Sequence, residues 1–276
     1  LCEEGEEEYD PAILEANNTV VEVIENEEDF TTDRLVAMDI LHQPERVIIE
    51  YNGMWLVSNF EKMQLPTGWG VEQQITCVDG STFQMYMANM KSIFMDMIKN
   101  TDMVIFNRCK KEDPLPTYRR GIKVANQRAE VIFEDEEGEL GDIFQDEMPF
   151  DMNAPVIEIL PEDYGIWFVD AMDHPENYEG KTVKFKARVM KPRGMGSKFF
   201  VPGRTAMTCC ADDTTFLGYV CKSAYAPKLT PGEWVEVTAK VGIEKRNEYQ
   251  GEEGIVLAAE HVEQCDPLED EMVYFN

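Results

Sequence analysis

The sequence predicts a mainly β chain with short helices, an α+β protein of two domains whose C-terminal member is a small OB-like barrel. Three observations predict it. Apolar and polar residues alternate in Val183-Lys-Phe185-Lys-Ala187-Arg-Val189 and again in Trp234-Val-Glu-Val237-Thr-Ala239-Lys-Val241, the period of a half-buried strand. Turn signals at Gly194, Gly196 and Pro231-Gly232 punctuate the same stretch. The result is about five or six short strands with long loops, and closing them into a barrel removes the edges they would otherwise expose.

The elements of the second half follow in order. Val156-Ile-Glu-Ile159 reads as a short strand. Asp163 can cap a helix whose apolar face includes Ile166, Val169 and Met172, and Pro175 ends it. Strands are expected at 183–189, 198–201, 205–210, 217–222, 234–241 and 254–259. The first half offers the same landmarks in the same order. Val21-Glu-Val23-Ile24 parallels the strand at 156–159, a helix carrying Leu35, Met38 and Leu41 follows, then His42-Gln43-Pro44, then Thr76-Cys77 against Thr208-Cys209. Two readings fit: a diverged copy of the barrel plan, or coincidence between two β-rich acidic domains. The apolar helical segment Ile93–Ile98 has no counterpart in the second half.

The domain expectation is an acidic tether over 1–19, a β-rich domain over 20–133, an acidic linker over 134–155 and the OB-like domain over 156–276. The chain carries 54 Asp and Glu against 25 Lys and Arg, a formal net charge of -29. That balance argues against nucleic acid and anionic lipid as partners, since both need clustered cations. No run of 18 apolar residues occurs in it. Leu1 in place of Met reads as the start of a fragment or processed product. Cys2, before Glu3-Glu4-Gly5, is the candidate for lipidation. The expected location is extracytoplasmic, membrane-anchored through a missing N-terminal segment or through that lipid.

Motif searches exclude more than they find. The seven cysteines include no Cys-x-x-Cys, and the three histidines, His42, His174 and His261, are far apart. There is no His-Glu-x-x-His or Gly-x-Ser-x-Gly, and Arg193-Gly194-Met195-Gly196 lacks the spacing of a phosphate loop. What stands out is Cys209-Cys210-Ala211-Asp212-Asp213. Thiolates beside carboxylates suit zinc or a softer ion, so Cys209, Cys210, Asp212, Asp213 and Cys221 form a candidate metal site. Neighbouring strand residues face opposite ways, so both thiols converge only where the strand ends or bulges. Three readings stay open: one cysteine in the core and one at the rim, a metal site, or a disulfide with Cys221 as the favoured partner. Trp69, in Thr67-Gly68-Trp69-Gly70, is a candidate exposed ligand contact.

Glu176-x-Tyr178-x-Gly180-Lys181, then Phe200-x-x-Gly203-Arg204-x-x-Met207-x-Cys209-Cys210-Ala211-x-Asp213, Gly218 and Trp234-Val235-x-Val237 resemble a bacterial domain of unknown function. That domain forms the soluble C-terminal part of a predicted two-component membrane permease subunit. Ala187-Arg188 departs from its pattern, where a glycine and an aromatic are expected. The resemblance implies a permease partner. Together with the missing catalytic motifs it makes the expected function a non-enzymatic extracytoplasmic accessory or binding module without a cofactor. The alternative is a metal- or thiol-dependent enzyme or metal-binding protein built on Cys209 and Cys210, with zinc as the ion.

Overall fold

The alternating run after Tyr178 is where the barrel begins. In the computed structural model, which describes residues 9–141, 148–208 and 214–274, strand β6 spans Thr182–Met190, and every second side chain from Val183 to Val189 is buried. The other strands of the C-terminal unit are β5 (Ile157–Glu158), β7 (Phe199–Met207), β8 (Thr214–Gly218), β9 (Val220–Lys222), β10 (Trp234–Lys245), β11 (Glu253–Gln264) and β12 (Met272–Val273). β6 pairs with β7 and β10, β10 with β11, β11 with β9 in parallel, and β9 with β7. The ring β6-β7-β9-β11-β10 therefore closes on itself, the order of an OB barrel. β8, β12 and β5 are additions at its margin.

Helix α6, Tyr164–Asp173, is bounded as the sequence indicates, by Asp163 before it and Pro175 just after it. Asp163 makes no side-chain cap bond. The helix lies against the barrel through Tyr164, Trp167, Phe168, Val169 and Ala171. Trp167 packs at 4.8 Å from Phe185 and 5.6 Å from Tyr219, centroid to centroid. The expected separate strands at 198–201 and 205–210 are one strand, β7, running through Pro202-Gly203. Pro202 cannot donate to a ladder, but β7 pairs with β6 there only over Val201–Gly203.

The N-terminal unit holds the expected second sheet by a different path. β1 (Ile75–Asp79), β2 (Met103–Asn107) and β3 (Glu130–Asp135) pair in parallel in that order. Helices α4 (Phe83–Ile98) and α5 (Leu115–Ala125) make the crossovers. Parallel neighbours need such crossovers, whereas the barrel is mostly antiparallel. The two units are thus not copies, and the shared landmarks are coincidental. No strand forms at 20–24; Ile24 instead joins Phe30, Leu35 and Met38 in a small separate core. The helices before the sheet are α1 (Pro11–Ala16), α2 (Thr32–His42) and α3 (Val57–Glu61). α2 is capped by Thr31, which accepts from Arg34 N at 3.2 Å, and it leaves Leu41 exposed. The acidic stretch expected as a linker begins inside the sheet: β3 runs to Asp135 and pairs with β4, Gly138–Glu139. Among the described residues no helix is long and apolar enough to cross a membrane.

The two units touch through α5 and α6. Asp173 accepts from Arg119 Nε at 3.0 Å and faces Lys123 at 3.5 Å, and Val124 of α5 joins the barrel's core cluster.

Burial sets the alkaline limit of the fold. Tyr164 donates to Leu217 O at 3.0 Å, Tyr178 to Asp170 Oδ2 at 2.6 Å and Tyr219 to Phe168 O. Desolvation raises all three phenols above their ordinary 10.0, with Asp170 adding to the effect at Tyr178. It pushes the Cys221 thiol from 9.0 up to about 12. A group that holds its proton more tightly when folded contributes stability below its unfolded pKa and loses it as pH rises past that value. Stability should therefore be flat below the ordinary thiol and phenol range. Above it, stability should fall by about 1.4 kcal/mol per pH unit for each group titrating only in the unfolded chain. Urea melts in steps from neutral to strongly alkaline pH, with phenolate absorbance followed in parallel, check this. Phenolate appearing before unfolding would contradict it.

Candidate functional site

Four of the residues singled out from sequence as metal ligands, Cys209, Cys210, Asp212 and Asp213, lie outside the described residues, as does Cys2. The fifth, Cys221, is a fully buried free thiol in the barrel core, opposite Leu257 on one side and Phe200 on the other. A thiol pushed up to about 12 by burial is protonated at neutral pH and acts as a small apolar filler. Among the described residues no group of three or more His, Cys, Asp or Glu is placed to hold a metal ion. Trp69 is not a free contact: its Nε1 donates to Asp39 Oδ1 at 2.9 Å.

Polar groups instead converge at the carboxyl edge of the parallel sheet, where the strands of open α/β sheets deliver ligand-binding loops. β1 ends in Asp79, β2 in Asn107, and the two are register partners. Asp79 accepts from Ser81 N at 2.9 Å and Ser81 Oγ at 2.6 Å, closing a turn before α4. Arg108 donates to its other oxygen at 2.7 Å. The Ser81 bonds, and then Arg108, hold the Asp79 carboxyl below the ordinary carboxylate value. Arg108 takes a left-handed φ of 53°, uncommon for a residue with a side chain. The turn that follows ties Cys109 N to Glu134 O at 2.9 Å. Gly80 N donates to Asn107 O at 2.8 Å, an approach so close that a Cβ on Gly80 would lie 2.7 Å from Cys109 Sγ. All three strand ends are thereby laced together. Cys109 itself is buried, and its thiol is raised to about 11, chiefly by desolvation.

Within this lacing Asn107 is the exception. Its Oδ1 is buried and accepts no hydrogen bond among the described residues, although buried acceptors are nearly always satisfied. Among the described residues the other two such atoms, Trp167 Nε1 and Arg204 Nε, belong to the barrel unit. Asn107 and Arg108 are not legible as a site in the sequence, but a signal is present. Three apolar runs, 75–78, 103–106 and 131–133, recur at roughly the thirty-residue spacing of βαβ units.

A second polar cleft opens at one end of the barrel, between the loop joining β6 to β7 and the loop joining β10 to β11. It encloses about 590 Å³ and is lined by Arg193, Met195, Lys245, Arg246, Glu248 and the glycines 194 and 196, among others. These loops are about fifty residues apart in sequence and meet only because the barrel closes.

Comparison with known proteins places the second half of the chain. Residues 139–275 match the DUF1980 C-terminal domain. The match supports a domain of unknown function over these residues. No curated protein matches the chain. Similar solved structures include the S. cerevisiae mitochondrial single-stranded DNA binding protein Rim1, at 10% identity and a TM-score of 0.20, covering 32% of this chain and 97% of that one. An aspartyl-tRNA synthetase from Entamoeba histolytica matches at 15% identity and a TM-score of 0.23, covering 43% of this chain and 27% of that one. A Leishmania major Friedlin protein described as an aspartyl-tRNA synthetase matches at 18% and 0.23, covering 42% and 21%.

These comparisons correct the expected partners, a permease and no nucleic acid. They supply no permease, and they include single-stranded DNA binding proteins. The physical flaw in the expectation is that charge summed over a chain does not set the sign of one face. In the barrel unit cations gather at the barrel-end cleft, despite the net charge of -29.

Proposed function

We propose that the chain is a non-enzymatic binding module whose small ligand sits at the carboxyl edge of β1, β2 and β3 and presents an N–H or O–H donor to Asn107. The observation that carries this reading is the buried, unpartnered Oδ1 of Asn107. An acceptor left bare in the free protein costs stability, and a ligand donor would recover that cost. Asp79, already ionised and held by Ser81 and Arg108, supplies a fixed charge beside it.

Several observations support binding without catalysis. The thiols of Cys109 and Cys221 are protonated. His42, His174 and His261 each face a glutamate, Glu22, Glu176 and Glu263 respectively, on separate elements. Neither thiol is therefore activated as a nucleophile.

Asn107→Ala tests the site. Removing an unsatisfied acceptor should change stability by less than about 1 kcal/mol. Thermal shift of the full chain against a panel of amide-bearing and heterocyclic metabolites should find at least one that stabilises the parent protein and not the variant. A strongly destabilised variant would mean that Asn107 is structural. An identical response from both proteins would place the ligand elsewhere.

A further inference from the structure

We infer that the cleft at the end of the barrel is a second, independent site, which takes the phosphate group of a phosphorylated small molecule. Two exposed cations, Arg193 and Lys245, line it, and neither has a carboxylate partner among the described residues. Arg246 is a wall rather than a free charge. It donates to Glu248 at 3.1 and 2.9 Å and lies 4.3 Å over the ring of Phe199. The lining thus carries three cations and one carboxylate, with Glu244 just outside it at 3.9 Å from Arg246, which leaves Arg193 and Lys245 as the positive charge facing the cleft.

The glycine loop adds neutral donors. Gly194 holds a φ of +86°, which turns the chain back over the cleft. The N–H groups of Gly194, Gly196 and Ser197 make no hydrogen bond among the described residues. A tetrahedral anion with several acceptor oxygens suits such backbone N–H groups together with a guanidinium fork.

The dimensions and surroundings narrow the class. About 590 Å³ far exceeds one phosphate, which leaves room in this open cleft for the group that carries the anion. Strand-like binding of bases needs open aromatic faces. Among the described residues no aromatic ring lines this cleft, and the ring of Phe199 behind it is covered by Arg246. The ligand is accordingly a small phosphorylated molecule.

The test uses the full chain, with inorganic pyrophosphate and ribose 5-phosphate as probes and a short oligo(dT) as the competing class. Amide chemical shifts and calorimetric titration are read at low and raised salt. Either phosphate probe should bind, shifting the Gly194, Met195 and Gly196 amides and weakening with salt. Response to both points to a phosphoester, and to pyrophosphate alone a free polyphosphate; each supports the site. R193Q/K245Q should weaken binding by about tenfold or more, with melting unchanged. Lys240→Gln, which removes one charge from an exposed strand position, should leave it within about twofold. N107A should also leave it unchanged, which separates this site from the one on the parallel sheet. The inference is overturned if neither probe shifts these amides, if the double variant binds as the parent does, or if oligo(dT) binds more tightly than both probes.

Discussion

Arg204→Ala should destabilise the barrel domain by about 3–5 kcal/mol, the range for breaking a buried charged network. Arg204 sits on β7 with 2% of its surface exposed. Its guanidinium donates to Pro161 O, to Asp270 O at 3.0 Å and to Met272 O at 2.9 Å, and lies 5.6 Å from the centroid of Tyr164. One side chain thus ties β7 to the turn that precedes α6 and to the closing strand β12. Burial lowers its pKa, yet carbonyl dipoles on three sides and the ring face of Tyr164 offset the lost hydration. Alanine would strand three carbonyls in the interior and leave a void. Lysine should rescue only part of the loss, because one ammonium cannot reproduce the planar fork. Urea melts would give the stability change, and proteolysis within 266–274 should accelerate as β12 detaches. A loss below about 1 kcal/mol would show that water replaces the guanidinium at little cost.

Gly203→Ala, one residue earlier, should cost about 2–3 kcal/mol or more by overpacking. Gly203 pairs with Arg188 of β6 on one side and Gly218 of β8 on the other. A Cβ there would lie 2.3 Å from Leu217 O and 2.4 Å from Phe216 Cε1. Leu217 O cannot retreat freely, because it belongs to the strand paired with β7. The facing glycine is equally constrained: a Cβ on Gly218 would meet Pro202 O at 2.7 Å. Gly121 on α5 is the useful contrast, since a Cβ added there would meet nothing within 4 Å. Gly121→Ala should stabilise by about 0.5–1 kcal/mol through helix propensity. Urea melts of the two variants beside the parent measure both changes. Equal effects of the two alanines would mean that β7 and β8 separate easily and that the close approach is not needed.

Local features can be read directly along the chain. β6 is legible residue by residue because a strand with one buried face must alternate. The end of α6 is legible because Pro175 acts within a turn of the chain. The OB-like barrel follows from strand count and turn placement. Contacts between distant residues set the rest. Whether 75–79, 103–107 and 130–135 pair in parallel depends on contacts across whole helices, and short apolar runs carry no mark of their direction. Sequence alone therefore allows a second barrel where the fold has a parallel sheet. The acceptor of Asn107 is bare among the described residues while the nearby donors Gly80 N and Cys109 N are spent on Asn107 O and Glu134 O. The barrel-end cleft exists only because the ring of β6, β7, β9, β11 and β10 brings Arg193 to Lys245. Steric and periodic constraints act over a few residues and can be read in order along the chain. Pairing and closure act between distant residues, and their outcome appears only when the chain is folded.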